Sequence, residues 1–256
     1  MRRLDDWEVR WHKYPGVVLP EIPRGNAVVV LSGGQDTATC VMWAKRYFRK
    51  VYAVTFKYGQ TLDIELRAAK TICRIAELDG HEIIDISEVS RLLSRTTSLV
   101  RASNLDISWQ GGRGVLPTTF VPGRNLLFLV LGAMYAYSVD SHHLVIGVNF
   151  ADWVGYPDCR PDVFPPLEES LRQGMEWEVK IHAPLLYLDK ARINWLADDL
   201  QAYQILYPYT HTCYRGERPP CGTCPACITR EWGFKLAGLP DPLTTMGDQL
   251  PELDPL

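Results

Sequence analysis

Short apolar runs alternate with helical patterns along the first ninety residues of the chain. Three runs rich in β-branched side chains, at 27–31, 51–56 and 82–86, have the length and composition of buried strands. Between them, residues 38–48 suit a helix, and residues 63–78 carry apolar side chains at the three- and four-residue spacing of an amphipathic helix. Strand, helix, strand, helix, strand at this spacing predicts a parallel sheet with right-handed crossovers.

The rest of the chain continues this pattern after one interruption. Residues 90–122 are rich in serine, threonine, asparagine and glycine, which predicts a long loop at the active edge of the sheet or at a subunit contact. Further helices are expected at 124–138, 162–175 and 189–200, with a fourth strand at 144–148. The predicted fold class is α/β, with a doubly wound parallel sheet.

Changes in composition divide the chain into four regions. Residues 1–26 form an N-terminal extension in which Pro15, Pro20 and Pro23 interrupt any long helix. The α/β domain spans 27–204, and a small cysteine-rich helical segment at 205–238 is expected to pack on it. Residues 239–256 are acidic and rich in proline, so this tail is expected either to be disordered or to pack across a partner subunit.

Composition narrows the function classes. At 256 residues and 46% hydrophobic content, the chain can bury a large core without disulfides. No stretch reaches the roughly 20 apolar residues of a membrane span, and the N-terminus lacks the apolar run of a signal peptide. A net charge of −3 disfavours a protein whose main task is to grip nucleic acid. We expect a cytoplasmic protein with no membrane partner and no direct nucleic-acid partner.

The strongest single motif for chemistry lies between the first strand and the first helix. There, Ser32-Gly33-Gly34-Gln35-Asp36-Thr37 places two glycines where the backbone can approach a phosphate. The following helix directs its free N–H groups and its partial positive charge to the same place. Asp36 can hold Mg²⁺ or cap the helix. The simpler alternative is a strand-to-helix turn, but the carboxyl edge of a doubly wound sheet favours a phosphate site.

Four of the seven cysteines form a second motif. Cys213, Cys221, Cys224 and Cys227 lie within fifteen residues, and four thiolates at this spacing can close a tetrahedron about Zn²⁺. Four cysteine ligands leave no open coordination position, so one structural zinc per chain is predicted. Independent thiols, a redox pair or a zinc knuckle that contacts RNA are the alternatives.

Two turn segments and one lysine complete the candidate chemistry. The segments 119–125 and 155–160 join turn residues to polar side chains at the edge of the predicted sheet, where ordinary capping turns are the simpler interpretation. Lys190 opens a predicted helix, where a cation opposes the helix dipole. That placement favours a lysine that serves a bound anion, although solvated surface lysines are more common.

These motifs together resemble the 7-cyano-7-deazaguanine synthase family of ATP pyrophosphatases. The resemblance runs from Ala27 to Phe234 and is carried by SGGQDT, YGQ at 58–60, VPGRN at 121–125, GYPDCR at 155–160, PLLYLDK at 184–190 and the cysteine segment. It implies an adenine nucleotide α-hydrolase-like, Rossmann-like fold, usually a homodimer, with one structural zinc per subunit. It implies a ligase that uses ATP, Mg²⁺ and ammonia to convert 7-carboxy-7-deazaguanine to the nitrile in queuosine biosynthesis.

The resemblance also implies roles for individual residues. The phosphate loop and its flanks would bind ATP, through Leu31, Ser32, Gly33, Gly34, Gln35, Asp36, Thr37, Ala38 and Thr39. Asp36, Lys190 and Arg124 are the catalytic candidates, the last two for further phosphate contacts. Substrate would meet Tyr58, Gln60, Asn125, Tyr156, Asp158 and Arg160, with Asp158 accepting hydrogen bonds from the guanine-like N–H groups. No base for ammonia is assigned.

Departures from the family pattern keep two other functions open. Asp-Thr replaces the usual Asp-Ser of the loop, and Lys57, Thr61 and Leu62 stand where the family commonly has aspartate, arginine and histidine. Together with the N-terminal extension at 1–26, these changes leave a second function open. In it, the acyl group would pass from the adenylate to another amine, for example on a protein in a defence or modification system. A zinc-knuckle RNA-binding or tRNA-thiolating protein is the third hypothesis, which the acidic composition disfavours.

Overall fold

The computed structural model describes residues 25–60, 63–101, 103–108 and 116–256. The N-terminal extension up to residue 24, Thr61, Leu62 and the glycines at 111, 112 and 114 lie outside the described residues. Within the described part, no helix combines the length and the apolar character that a membrane crossing requires.

A five-stranded, entirely parallel sheet forms the centre of the molecule, with the strand order β3-β2-β1-β4-β5. The order reverses between β1 and β4, as in doubly wound folds, where the carboxyl ends of such neighbours open a crevice. This confirms the predicted α/β fold class. The strands are β1 Asn26–Val30, β2 Lys50–Lys57, β3 Gly80–Asp85, β4 His143–Val145 and β5 Lys180–His182.

Helices cover both faces of the sheet. Among the described residues, the six longer ones are α1 Gln35–Tyr47, α2 Ile64–Ile75, α4 Arg124–Ser138, α5 Phe164–Met175, α6 Lys190–Asp199 and α8 Pro225–Ala237. The same part of the chain has three short helices of four residues each, α3 Ser90–Leu93, α7 Ala202–Ile205 and α9 Pro242–Thr245.

Alternating side chains of the central strand β1 build two separate cores. Ala27 and Val29 are fully buried among side chains of α1, α2 and α6, whereas Val28 and Val30 belong to a second cluster that includes α4 and α5. Burial on both faces is what the continuous β-branched run predicts. β1 therefore sits at the middle of the sheet, and the loop that follows it lies at the switch point.

The structure differs from the predicted boundaries in several places. β5 was not predicted, because three residues with polar ends give no periodic signal. The predicted fourth strand at 144–148 is shorter and ends at Val145. Gly147 lies beyond it against Thr37, where a Cβ would be 2.9 Å from the Cγ2 atom of Thr37. The expected loop at 90–122 includes the short helix α3, and its described part lines the cavity at the carboxyl edge of the sheet.

The acidic tail is ordered against its own chain. Arg67 on α2 donates to the backbone carbonyls of Leu253 and Asp254, and Arg74 pairs with the Asp254 carboxylate at 2.8 Å. Leu253 is buried. Of the two alternatives expected for the tail, disorder is therefore wrong, because Arg67 and Arg74 of α2 bind the tail and Leu253 is buried. Packing of the tail across a partner subunit stays a prediction.

A half-buried histidine pair, formed by the first residue of β4 and the last residue of β5, makes stability depend on pH. The Nδ1 atom of His143 lies 3.0 Å from the Nε2 atom of His182, and Trp43 and Phe48 pack around the His182 ring. Burial, with the neighbouring His143 and Lys180, lowers the pKa of His182 to about 3. Protonation of this imidazole therefore favours the unfolded chain, whose histidines titrate near their ordinary pKa of about 6.5.

Acidification from pH 7 to pH 5 should cost about 2 kcal/mol of stability through His182. This contribution is complete above pH 6.5 and is lost as the pH falls, because the unfolded state then binds more protons. Urea denaturation at the two pH values measures it. His182→Phe should make this dependence clearly weaker; equal slopes for wild type and His182→Phe would contradict the role of this imidazole.

Candidate active site and metal centre

The phosphate loop follows β1 and depends on glycine at one close approach. Gly33 has a positive φ of 84°, and a Cβ at this residue would lie 2.5 Å from the backbone oxygen of Glu65 on α2. The loop closes on itself through hydroxyl groups, with the Oγ atom of Ser32 3.2 Å from the Oγ1 atom of Thr37. The loop thus lies between β1 and the start of α2, with the N-terminus of α1 directly behind it.

Asp36 lies at the centre of a polar network beside the loop. Its Oδ2 atom accepts hydrogen bonds from the Nζ atom of Lys190 at 2.6 Å and from the Nδ2 atom of Asn149 at 3.0 Å. The other oxygen, Oδ1, is buried and makes no hydrogen bond to any described residue. Asn149 also donates to the Oδ2 atom of Asp152 at 2.7 Å. The network therefore leaves one carboxylate oxygen of Asp36 available to a ligand.

Charges within this network fix its protonation states. Burial disfavours the ammonium of Lys190, but the carboxylates of Asp36 and Asp152 outweigh that effect and raise its pKa. Burial raises the pKa of Asp152, while the charge of Lys190 opposes the rise. Lys190, which is the first residue of α6, therefore remains a cation at neutral pH.

A cavity of about 790 Å³ opens beside the loop. It lies over the carboxyl ends of β1, β2 and β4, at the switch point of the sheet, and its walls combine apolar and polar side chains. This volume falls within the range that small-molecule sites occupy. The lining includes Ser32, Thr37, Tyr58, Gln60, Glu65, Arg124, Asn125, Phe128, Gly147, Asp152, Tyr156, Cys159 and Tyr214.

Arg124 is the main cation on the inner wall of this cavity. Its Nη1 atom donates to the hydroxyl of Tyr58 at 3.4 Å, and its guanidinium lies 5.8 Å from the centre of that ring. Burial opposes its charge, but Tyr58 and Asp158 raise the pKa of Arg124 above its ordinary value. Arg124 therefore presents a permanent positive charge to an anionic ligand in the cavity.

The four clustered cysteines form a compact potential metal site. The sulfur atoms of Cys213, Cys221, Cys224 and Cys227 all lie within 4.8 Å of one another. Four Zn–S bonds of about 2.3 Å would place sulfur atoms about 3.8 Å apart in a tetrahedron, and the Cys221 and Cys227 sulfurs are 3.8 Å apart. Partial burial opposes ionisation of Cys221, but hydrogen bonds from Thr223 and Cys224 lower its pKa to about 6. The donor set therefore suits a thiolate-binding metal.

Comparison with known proteins identifies the family. A family model described as "Queuosine biosynthesis protein QueC" matches residues 26–238. The chain belongs to this QueC family. It is 44% identical over 218 residues to a 7-cyano-7-deazaguanine synthase of Laribacter hongkongensis, which covers 85% of this chain and 93% of that protein.

A second QueC relative and one solved structure extend this comparison. A 7-cyano-7-deazaguanine synthase of Chromobacterium violaceum is 45% identical over 220 residues, covering 85% of this chain and 92% of the relative. The U34-tRNA thiolase NcsA from Methanococcus maripaludis, solved with its [4Fe-4S] cluster, is 14% identical. The superposed region covers 91% of this chain and 78% of the thiolase chain, with a TM-score of 0.47.

The predicted ATP-binding residues of this QueC chain occupy two positions around the loop. Leu31, Ser32 and Thr37 line the cavity, whereas Gln35, Ala38 and Thr39 are buried on α1 behind it. The hydroxyl of Thr39 is used within the core, 2.8 Å from that of Tyr207. Ala38 donates its backbone N–H to the oxygen of Gly34 within the helix, so Ala38 and Thr39 hold α1 in place behind the loop.

The predicted substrate residues divide between the cavity wall and the layer behind it. Tyr58, Gln60, Asn125 and Tyr156 line the cavity. Gln60 also fixes the loop after β2, since its Oε1 atom accepts from the backbone N–H of Tyr58 at 2.8 Å.

Asp158 and Arg160 lie behind that wall and are not among the described lining residues. The Oδ2 atom of Asp158 accepts from the backbone N–H of Asn125 in the first turn of α4, at 3.0 Å. The Nε atom of Arg160 donates to the backbone oxygen of Trp153. Both side chains therefore have partners within the fold.

Sequence reasoning missed several residues that the fold brings to this site. Glu65, Asp152 and Tyr214 line the cavity, and Asn149 joins Asp36 to Asp152. Glu65 was hidden within an amphipathic helical pattern, whereas Asn149 and Asp152 lie in a segment without periodicity. Tyr214 directly follows the first cysteine of the cluster, and that adjacency was the one available signal.

The cysteine segment contacts the polar network of Asp36 and Lys190 through α8. A Cβ on Gly233 of α8 would lie 2.6 Å from the Cβ of Lys190. The backbone of α8 at Gly233 therefore packs directly against the Lys190 side chain of α6. On another face of α8, the buried Arg230 forms a two-point ion pair with Asp241, at 2.6 and 2.8 Å, and donates to Thr210 and Thr212. The position of Lys190 therefore depends on how α8 is anchored.

Breaking this buried ion pair should strongly destabilise the protein. Asp241→Asn leaves the Arg230 guanidinium buried without its counter-charge, and such losses typically cost about 3–5 kcal/mol. Chemical denaturation of the purified variant measures the change in the free energy of unfolding. Asp248→Asn changes an exposed aspartate nearby and should stay within about 0.5 kcal/mol of wild type. A similarly small effect of Asp241→Asn would contradict this assignment.

Proposed function

We propose that this chain is a 7-cyano-7-deazaguanine synthase, an ATP-dependent carbon–nitrogen ligase of queuosine biosynthesis. It converts 7-carboxy-7-deazaguanine and ammonia to 7-cyano-7-deazaguanine. The observation that carries the proposal is the match to synthases of that name over 85% of the chain. The QueC family model spans residues 26–238, which include the cavity wall described above. A phosphate loop that opens on a cavity of small-molecule size supports the same conclusion.

The chemistry requires activation of a poor electrophile. A carboxylate resists attack by ammonia, so its oxygen first attacks the α-phosphate of ATP to form an acyl adenylate, with release of pyrophosphate. Ammonia then displaces AMP to give the amide. A second adenylation at the amide oxygen, followed by loss of AMP, gives the nitrile. Positioning and stabilisation of phosphate charge supply most of the catalysis in such steps.

The loop and its neighbours suit the phosphate-binding part of this scheme. Ser32, Gly33, Gly34 and Thr37 would hold the pyrophosphate group through hydroxyl and backbone N–H donors. Lys190 and Arg124 approach the site from α6 and α4, each charged at neutral pH. The two cations would neutralise charge that develops on the leaving phosphates.

Two metal ions fit the donor atoms. The buried Oδ1 atom of Asp36, which has no partner among the described residues, suits a ligand to Mg²⁺. Mg²⁺ supplies neutralisation of the pyrophosphate charge when bound. The four cysteine sulfurs suit one structural Zn²⁺, which stabilises the segment that carries α8.

The deazapurine would pack against the cavity wall formed by Tyr58, Gln60, Asn125 and Tyr156. Tyr156 is held there by a 2.7 Å hydrogen bond between its hydroxyl and Thr119. Asp158 lies behind this wall and would support it by accepting a hydrogen bond from the backbone N–H of Asn125. Arg160 supports this wall through its bond to Trp153.

Assembly and location belong to the same proposal. A homodimer is supported by an apolar stripe on the exposed face of α4, formed by Leu126, Val130, Met134 and Tyr137. A reducing compartment such as the cytoplasm is supported by four cysteines arranged for a metal and not for disulfides.

The first half-reaction tests the proposal directly. Exchange of labelled pyrophosphate into ATP should require 7-carboxy-7-deazaguanine and should proceed without ammonium. Guanine, which lacks the carboxylate, serves as the control acceptor and should give no exchange. Exchange that is absent with the carboxylate, or equal with guanine, would overturn the assignment.

A further inference from the structure

The cavity contains one acid that the scheme above leaves without a role. Among the described residues that line it, Glu65, Asp106 and Asp152 are the carboxylic acids. Asp152 is bonded to the side chain and the backbone N–H of Asn149, and Asp106 is exposed at the rim. No hydrogen bond or ion pair engages the Glu65 carboxylate within the described part of the chain. Glu65 is thus the inner acid that is available to a substrate.

The fold places Glu65 beside the position where the acyl phosphate must lie. It occupies the first turn of α2, and its backbone oxygen packs against Gly33 so closely that a Cβ there would come within 2.5 Å. Gly33 belongs to the loop that would hold the phosphates of ATP. In the acyl adenylate, a single oxygen bridges the α-phosphate and the carbon that ammonia attacks. This carbon therefore lies on the same side of the cavity as the phosphate loop and Glu65.

The surroundings of Glu65 suit proton transfer. The titratable groups that face it are Arg124 from α4 and Tyr58 from the turn after β2. Burial raises the pKa of Glu65 to about 7, and the charge of Arg124 opposes a further rise. A carboxylate in this range accepts a proton readily at neutral pH and releases it again to solvent.

We propose that Glu65 is the general base for the ammonia step, an assignment that rests on the proposed function. The nitrogen of ammonia forms a bond to the carboxyl carbon of the acyl adenylate. The bond between that carbon and the phosphate oxygen breaks, and AMP leaves with its electron pair. One N–H proton passes to the Glu65 carboxylate, which gives the neutral amide and a protonated Glu65.

Comparing the two half-reactions of Glu65→Gln tests this role. Pyrophosphate exchange should stay within about threefold of wild type, because glutamine keeps the shape of the side chain and activation needs no base. The rate of amide formation, expressed per free ammonia, should fall about 100-fold or more. Its rise with pH, centred near 7 in wild type, should disappear. Asp162→Asn, which changes an exposed aspartate outside the cavity lining, should affect neither half-reaction.

Two additional measurements distinguish a general base from a residue that only binds the substrate. With hydroxylamine, a stronger nucleophile with a less basic nitrogen, the defect of Glu65→Gln should shrink about tenfold or more, and Glu65→Asp should regain part of the ammonia rate. An equal loss of exchange and amide formation would assign Glu65 to substrate binding and overturn the base role, as would an unchanged ammonia rate. Absence of exchange in the wild-type protein would instead overturn the proposed function itself.

Discussion

Asp36→Ala should lower the rate of pyrophosphate exchange at least about 1000-fold. The substitution removes a carboxylate that holds both Lys190 and Asn149 and the free oxygen that suits Mg²⁺. A group that stabilises developing phosphate charge typically contributes factors of about 100 to 1000, and this one also positions Lys190. Exchange assays with saturating ATP and 7-carboxy-7-deazaguanine measure the effect.

The folded state of Asp36→Ala should persist. Lys190 loses its closest counter-charge but remains near Asp152, so the loss of stability should be about 1–3 kcal/mol. Asp162→Ala, at an exposed aspartate remote from the loop, should retain full exchange. Wild-type exchange by Asp36→Ala would show that this loop does not serve the phosphates.

Cys224→Ser should release the bound metal and destabilise the C-terminal part of the chain. Structural zinc contributes folding free energy directly, about 10–16 kcal/mol of apparent binding energy in zinc-finger peptides. The loss should also reach the active site, because Tyr214 lines the cavity next to Cys213, and α8 packs against Lys190. We therefore expect lower activity together with a lower melting temperature.

Metal analysis and thermal melting test this expectation together. Purified wild-type protein should contain about one zinc per chain, and Cys224→Ser should contain almost none. Cys73→Ser changes a buried thiol outside the cluster and should keep the metal. A metal-free wild-type protein with the same melting temperature as one loaded with zinc would contradict a structural metal site.

The central strand and the loop after it were predictable because their signals are local. Five apolar residues followed by SGGQDT specify a buried strand, a tight turn and a helix start without reference to the rest of the chain. The four cysteines were equally clear, since their spacing alone brings the sulfurs together. These features required no knowledge of how distant segments meet.

Other parts of the site depend on tertiary contacts that no local pattern encodes. Glu65 reads as an ordinary residue of an amphipathic helix until α2 packs against Gly33. Asn149 becomes informative only when β4 delivers it to Asp36, 113 residues earlier in the chain. Composition left disorder or contact with a partner subunit open for the tail, yet Arg67 and Arg74 of α2 hold it against its own chain. Composition describes average behaviour and does not identify a specific docking site.

Identification of the reaction product tests the proposed function most directly. The protein should be incubated with 7-carboxy-7-deazaguanine, ATP, Mg²⁺ and ¹⁵N-ammonium, and the products analysed by mass spectrometry. We expect ¹⁵N-labelled 7-cyano-7-deazaguanine with two molecules of AMP per nitrile, preceded by the labelled amide. AMP formed together with an enzyme-bound adenylate, but without amide or nitrile, would show that the acyl group is destined for another amine and would contradict the proposed function.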